Sequence, residues 1–425
     1  MIRTRLGPRS IALALSATVA VAACSSGSDA DPDQTAASTS STAPSVQTSD
    51  GELTIGVMLP PSATLLRDPI LTGVDTAVTA VNDSGGVFDR RVVLVQTEEG
   101  DTAADGATAV QNLIDRDVDA IVGPASSTIA ASTLTGIISN GRVACSPTAS
   151  ALSLDKLPDR GLFFRTVPSD AMQARAIAQV AEDTGVPSVV IAYVDDGFGR
   201  PLSVAVTEQL AAVEVDVADS IPFASTEADQ IDVDLVDSVQ GVIDSQARVL
   251  ILLAASNDGT QFLEALSDES APRISDIIVN DALRSPESVQ RLAALPKATR
   301  ERIIGVAPQS QSSDPTAPPF APAGPFATQA YDCVTLIALA ASVAESDVGT
   351  DIAGFIPLVS SGGSECRTFD DCSRAALDGR NIDYDGPSGL TEIGSAGDPI
   401  RARFDRFNFD EQGNDTYDGT FLVPT

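Results

Sequence analysis

The stretch AIVGPASST, Ala120–Thr128, decides how this chain is read. Ala120-Ile121-Val122 is an apolar run that Gly123-Pro124 stops, and the hydroxyl residues Ser126, Ser127 and Thr128 follow. RVACSPTAS, Arg142–Ser150, nearly repeats the pattern. Each stretch reads as a short buried strand running into a turn of small side chains before a helix. In open α/β sheets, ligands sit beyond the carboxyl ends of the strands, where such turns lie. Small side chains let a ligand approach the backbone. Free N–H groups at a helix start favour an anion such as a carboxylate. The hydroxyls of Ser127, Thr128 and Ser150 would add hydrogen bonds, each worth about 1.5–3 kcal/mol to a charged group. Ser126, Ser127 and Ser150 would serve equally well as helix N-caps, so the two turns alone leave both readings open.

Working outward, strand and helix alternate. Thr54–Leu59 reads as a strand and Pro69 to Asn82 as a helix that stops at Gly85-Gly86. Val92–Gln96 is a strand and Thr102–Arg116 a helix. Ala120–Val122 and Val143–Cys145 are strands flanking a helix over Ser126 to Ser139. The pattern then repeats with helices over Asp170–Asp183, Arg200–Ala212, Gln230–Asp244, Thr260–Leu266 and Ser285–Leu295. Strands over Ser188–Tyr193, Val215–Ile221, Val249–Leu253 and Ile277–Val279 separate them. Ser285-Pro286 reads as an N-cap followed by Pro at the first helical position. Alternating βα units predict parallel sheets covered by helices on both faces. About eight to ten units are too many for one mononucleotide-type sheet, so the expected fold is α/β with two doubly wound lobes.

The net charge of −33 comes from 26 basic and 59 acidic side chains. Such a surface repels phosphate backbones and disfavours nucleic-acid binding. The absence of His removes Ser-His and Cys-His nucleophile arrangements. A Ser-Lys pair would need Lys156 or Lys297, and neither lies in a nucleophile motif. No zinc-type cluster, Walker loop or G-x-G-x-x-G after a strand is present, so an enzyme is not expected. No cofactor or metal site is predicted either. Asp195-Asp196-Gly197 and Asp410–Asp415 read as turns, the latter within a hairpin, rather than cation sites.

At the N-terminus, Arg3, Arg5 and Arg9 precede an apolar run over Ile11–Val21, too short for a confident membrane span. The run ends in Val21-Ala22-Ala23-Cys24, which resembles the lipobox of bacterial lipoproteins. That resemblance implies a signal peptide over 1–23, acylation of Cys24 and anchorage of an exported protein to the outer face of the cytoplasmic membrane. Residues 24–50, rich in Ser, Thr, Ala, Asp and Pro, read as a disordered tether. The bias towards Arg, Ala and Val fits a high-GC bacterium, so a Gram-positive source is expected.

Eight segments carry a wider resemblance: GVMLPPS, VNDSGGVFDRRVVLV, AIVGPASST, CSPTAS, FFRTVPSDAMQARAIA, YVDDGFGR, AYDCVTLIALA and IDYDGPSG. In order and spacing they resemble periplasmic binding proteins of the leucine/isoleucine/valine-binding type, from about Leu53 to about Asn408. The resemblance implies a type I fold of two lobes joined by a three-strand hinge. Lobe 1 would span 51–167 plus 306–385, and lobe 2 would span 168–305 plus 386–425. It implies an amino acid or related solute held between closing lobes and delivered to the permease of an ABC importer by a monomer. A ligand sensor not coupled to transport uses the same cleft and is the alternative. By this resemblance Ser127 meets the ligand carboxylate, with Thr128 beside it. A Thr148 backbone group contacts the ammonium, and the Ser150 hydroxyl also touches the ligand. Phe198 and Ser256 stand where branched-chain binders carry cleft tyrosines, and Asp281 stands where they carry the acid that pairs with the ammonium. Phe198 reads equally as a core residue at a helix start, and Asp281 as a solvated loop acid.

The resemblance also implies a local disulfide between Cys366 and Cys372. Closing so short a loop would stabilise the fold by roughly 2 kcal/mol. Cys145 on a core strand and Cys333 on an apolar helix read as buried thiols. A bridge between them does not follow from sequence.

Overall fold

The computed structural model describes residues 47–424 apart from residues 63, 226–232, 255, 270–272, 310–323 and 390. The expected signal peptide, the Cys24 lipid site and most of the tether lie outside the described residues.

The first sheet is built from β1 (Thr54–Leu59), β2 (Val93–Glu98), β3 (Ala120–Val122), β4 (Val143–Ser146) and β5 (Phe163–Arg165). Their order is β2-β1-β3-β4-β5, and every pair is parallel. Helices α1 (Arg67–Asp83), α2 (Ala103–Ile114) and α3 (Ser127–Ser139) are its crossovers. The register sets Ile55 against Ala120 and Ile121 against Ala144, so the middle strands are buried on both faces. A capping box fixes the start of α2: Thr102 Oγ1 accepts from the Asp105 amide, and the Asp105 carboxylate accepts from the Thr102 amide.

The chain then enters a second sheet. Its elements are α4 (Asp170–Asp183), β6 (Ser188–Val194), α5 (Gly199–Ala212), β7 (Asp216–Phe223), α6 (Val233–Asp244), β8 (Val249–Leu253), α7 (Ser256–Asp268), β9 (Asp276–Val279), α8 (Val289–Ala294), α9 (Lys297–Arg300) and β10 (Ile303–Pro308). It returns to the first core with α10 (Ala327–Ala344), α11 (Gly349–Val359), β11 (Ser364–Cys366), α12 (Phe369–Leu377) and β12 (Ile382–Tyr384). Finally β13 (Arg401–Phe409) and β14 (Asp415–Pro424) complete the second sheet, in the order β14-β13-β10-β9-β8-β6-β7. Strands β6 to β10 pair in parallel, whereas β13 and β14 are antiparallel. The second sheet is therefore mixed. The added strand buries Ala402, Phe404, Asp405, Phe407 and Phe409 while Arg403, Arg406 and Asn408 are half-buried, an alternation that breaks at Phe404-Asp405. Its turn is the expected hairpin, with Asp410 Oδ1 accepting from the amides of Gln412 and Asn414 at 2.9 Å.

Three sequence expectations shift. The helix expected from Ser285 starts at Val289, because Ser285 caps a turn instead: its carbonyl accepts from the Ser288 amide and its hydroxyl from the Glu287 amide. Ile303–Pro308 lies wholly in the second sheet, and Tyr384 and Ile393 still belong to the first core. The chain thus passes between sheets at Thr166–Ser169, after Pro308, and between Ile393 and Arg401. Cys145 and Cys333, read as thiols, form a disulfide that joins β4 to α10. Cys366 and Cys372 form the expected local bridge.

Candidate ligand-binding crevice

Each predicted site residue follows the carboxyl end of a parallel strand. Ser127 and Thr128 follow β3, Thr148 and Ser150 follow β4, Phe198 follows β6, Ser256 opens α7 after β8, and Asp281 follows β9. At Gly123 the chain takes φ +112°, and a Cβ would lie 2.7 Å from the Met58 carbonyl, so only glycine fits.

The two hydroxyl turns are sewn together. Thr148 Oγ1 donates to the Ala125 carbonyl at 2.7 Å. Ser146 Oγ donates to the Pro124 carbonyl at 2.6 Å and accepts from the Ala149 amide at 3.0 Å. Ser127 Oγ accepts from the Ala151 amide at 3.3 Å. Capping is done by Ser126, whose Oγ accepts from the Ile129 amide. Ser127 is therefore not the cap of α3, and its hydroxyl is half-buried beside the second turn. Thr128 is exposed one position further along the helix.

From these turns a line of polar groups runs into the second lobe. The Ser150 carbonyl accepts from the Asp170 amide at 2.9 Å, and the Ser150 hydroxyl bonds the Asp170 carboxylate. Asp170 opens α4, and Gln173, one turn on, donates to Asp281 Oδ1 at 2.7 Å. Burial pushes the Asp170 carboxyl up to about 7, and the nearby Asp281 charge adds to that rise. Burial raises Asp281 as well. Ser127, Thr148, Ser150 and Asp281 thus lie along one connected set. Phe198 packs its half-buried ring against both cores of the second sheet. The side chain of Ser256 lies outside the described residues.

Sequence reasoning missed four contributors. Asp170 and Gln173 stand in SDAMQ, where Asp170 reads only as the start of a helix. Arg165, 1% exposed, bonds Asp155 and Asp398 at 2.6 Å each and holds the second turn from beneath. Glu99, at the end of β2, is 2% exposed and accepts from the Ala125 amide at 2.7 Å and the Ser126 amide at 3.0 Å. Burial pushes its carboxyl up to about 7. The first amides before α3, read from sequence as a ligand-anion site, are thus filled by the protein's own carboxylate. The signal was the pair Glu98-Glu99 at the end of a strand.

Strand-end turns from two α/β lobes, converging on hydroxyls at one side and carboxylates at the other, define a two-lobed ligand-binding protein. The chain belongs to the family described as the receptor family ligand binding region, whose model matches residues 70–412. A chemotactic signal transduction substrate-binding protein, BasB of Halobacterium salinarum, is 28% identical over 376 residues, covering 82% of this chain and 85% of that protein. Among solved structures, the leucine-binding protein LivK of Thermotoga maritima superposes with TM-score 0.68 at 16% identity, covering 87% of this chain and 98% of that one. LivJ of Streptococcus pneumoniae, solved with isoleucine, gives TM-score 0.67 at 17% identity, covering 88% and 100%. The fold is the type I periplasmic binding fold these structures share, and the family and its neighbours are substrate-binding proteins, not enzymes.

Proposed function

We propose that this protein captures an amino acid of the branched-chain type, or a close analogue, in the crevice between its lobes and presents it to an ABC permease. The observation that carries this reading is the polarity of the connected set. Hydroxyls and the remaining α3 amides suit a carboxylate at one end, and Asp170 with Asp281 suits an ammonium at the other. A zwitterion matches both ends. Ser127, Ser150 and the Ser127 and Thr128 amides hold the carboxylate. Asp281, Asp170 and the Thr148 carbonyl hold the ammonium. Phe198 and Ser256 border the side-chain end. Cys24 carries the lipid that keeps the exported protein at the membrane face.

A second reading, a sensor that presents ligand to a signalling partner, draws support from the chemotactic relative. The test is a thermal-shift screen of the purified chain against amino acids, amides, polyamines and aromatic acids. A ligand at about 100 times its Kd raises stability by about 2.7 kcal/mol. Shifts confined to branched-chain amino acids support the reading. Shifts only from ligands without an ammonium overturn it. Co-purification from solubilised membranes with permease subunits or with a receptor separates transport from sensing.

A further inference from the structure

Two of the passages between the lobes, and the Tyr384–Ser388 turn that leads to the third, meet one turn of α10. At the first passage, Thr166 Oγ1 donates to the Gln329 carbonyl at 2.9 Å and lies 3.4 Å from Cys333 Sγ. At the second, Gln329 Nε2 donates to the Gln309 carbonyl at 3.0 Å. Gln309 in turn donates its amide to the Arg403 carbonyl of β13 at 2.9 Å, so the Gln329 side chain reaches from the first core to an anchor on the second sheet. At the approach to the third, Asp332 Oδ1 accepts from the Tyr384 hydroxyl at 2.6 Å. Asp332 Oδ2 accepts from the Ser388 amide at 3.0 Å and from the Ser388 hydroxyl.

This arrangement is buried and tight. Asp332 and Tyr384 are 0% exposed, Gln309 2%, Gln329 3% and Thr166 5%. A cavity of only about 10 Å³ remains where Thr166, Gln309, Gln329 and Ser388 meet. At Gly386 a Cβ would fall 1.9 Å from Asp332 Oδ1, so the turn before the third passage approaches as closely as glycine allows. The same turn is covalently tied to the ligand crevice. Cys333 is bridged to Cys145, and the next residue, Ser146, holds the two hydroxyl turns together.

We propose that Gln329 and Asp332 are positioning residues that clasp the first two inter-lobe passages and the turn leading to the third, and so set the balance between open and closed forms, and with it ligand affinity, without touching ligand. The effect on affinity rests on the crevice reading above; the clasp itself does not. Bonds made by buried, closely packed polar groups have definite geometry, so a clasp on these segments admits few intermediate lobe angles. A shift in the open–closed balance multiplies the apparent Kd by the change in competent fraction.

The experiment compares the full chain with Gln329→Leu and Asp332→Asn. Small-angle scattering is recorded without ligand and with L-isoleucine. Amide hydrogen exchange follows residues 166, 309 and 388, and stopped-flow gives on- and off-rates. With the clasp loosened, Gln329→Leu should lose protection at these three segments together while β1, β8 and β9 keep theirs. Its scattering without ligand should change, and Kd should shift by about 10-fold through the off-rate. Gln329→Glu, which keeps length but replaces the Nε2 donor by a carboxylate facing the Gln309 carbonyl, should lose at least as much protection as Gln329→Leu. If Gln329→Leu does not fold, Thr166→Val, which removes one bond, should give the same pattern more weakly. Unchanged exchange and scattering overturn the clasp. Changed exchange and scattering with no isoleucine binding in the parent support the clasp and overturn the ligand reading. Protection lost at residue 309 alone also overturns the proposal, since the segments would then move independently.

Discussion

Asp281 accepts a hydrogen bond from Gln173 and sits close enough to Asp170 to raise its proton affinity. Asp170 is buried and Asp281 half-buried, and burial disfavours the charged form of both, which an incoming ammonium restores. A hydrogen bond to a charged group contributes about 1.5–3 kcal/mol, so Asp281→Asn should weaken isoleucine binding by roughly 10- to 100-fold in calorimetry. If Asp281 were a solvated loop acid, the same change would leave affinity within about twofold. Glu99 has a different task. It fills the Ala125 and Ser126 amides, and its removal would leave two orphan donors in a dry turn. Glu99→Ala should therefore cost about 1–3 kcal/mol of unfolding free energy in urea. The parallel-strand ends were legible because apolar runs stopped at Gly, Pro and Ser. Glu99, Asp170 and Arg165 were not, because their partners lie 26, 20 and 233 positions away in sequence, and spacing carries no information about such contacts.

At the scale of elements, short parallel strands and their crossovers followed directly from periodicity. The α8 start did not, because Ser285-Pro286 can open either a helix or an isolated turn, and the Ser288 amide closes the turn. The hairpin turn at Asp410–Asp415 was foreseen, but the extent of β13 before it was not. Its Phe alternation is interrupted by Arg and Asp, and Asp405 is buried with Arg284 3.1 Å away. The two disulfides separate cleanly by loop length. Cys366–Cys372 spans 6 positions and Cys145–Cys333 spans 188. In the chain-entropy model the shorter contributes about 2 kcal/mol and the longer up to about 5. Replacing Cys145 and Cys333 together by Ser should thus lower the thermal midpoint more than replacing Cys366 and Cys372, as read by calorimetry. The reverse order would mean that buried packing around β4 and α10 already fixes the chain without the bond.

At the scale of the molecule, the acids set how stability depends on pH. Burial raises Glu99, Asp119, Asp170 and Asp332 to about 7 and Asp385 to about 6. The charges facing them are largely negative: Asp101 for Glu99, Asp347 and Asp50 for Asp119, Asp281 and Asp155 for Asp170, and Asp385 for Asp332. Arg165 is the opposing cation at Asp170. Unfolded, these carboxyls lose their protons near pH 4; folded, they keep them to about pH 6–7. Between those limits the native state binds more protons, so unfolding free energy falls as pH rises. The stabilising contribution is complete below about pH 4 and is lost as pH passes 7. Self-repulsion of a chain with net charge −33 adds to the same trend. The thermal midpoint should therefore be higher at pH 5.5 than at pH 8, and Glu99→Gln, which cannot titrate, should flatten the slope. Ligand provides the sharper discrimination. An ammonium beside Asp170 and Asp281 favours their ionised forms, so bound isoleucine should release protons at pH 6.5 and reduce the pH dependence of stability. Calorimetry in two buffers of different ionisation enthalpy counts those protons. Proton uptake instead would place the ligand's negative end against the acids and reverse its orientation in the crevice.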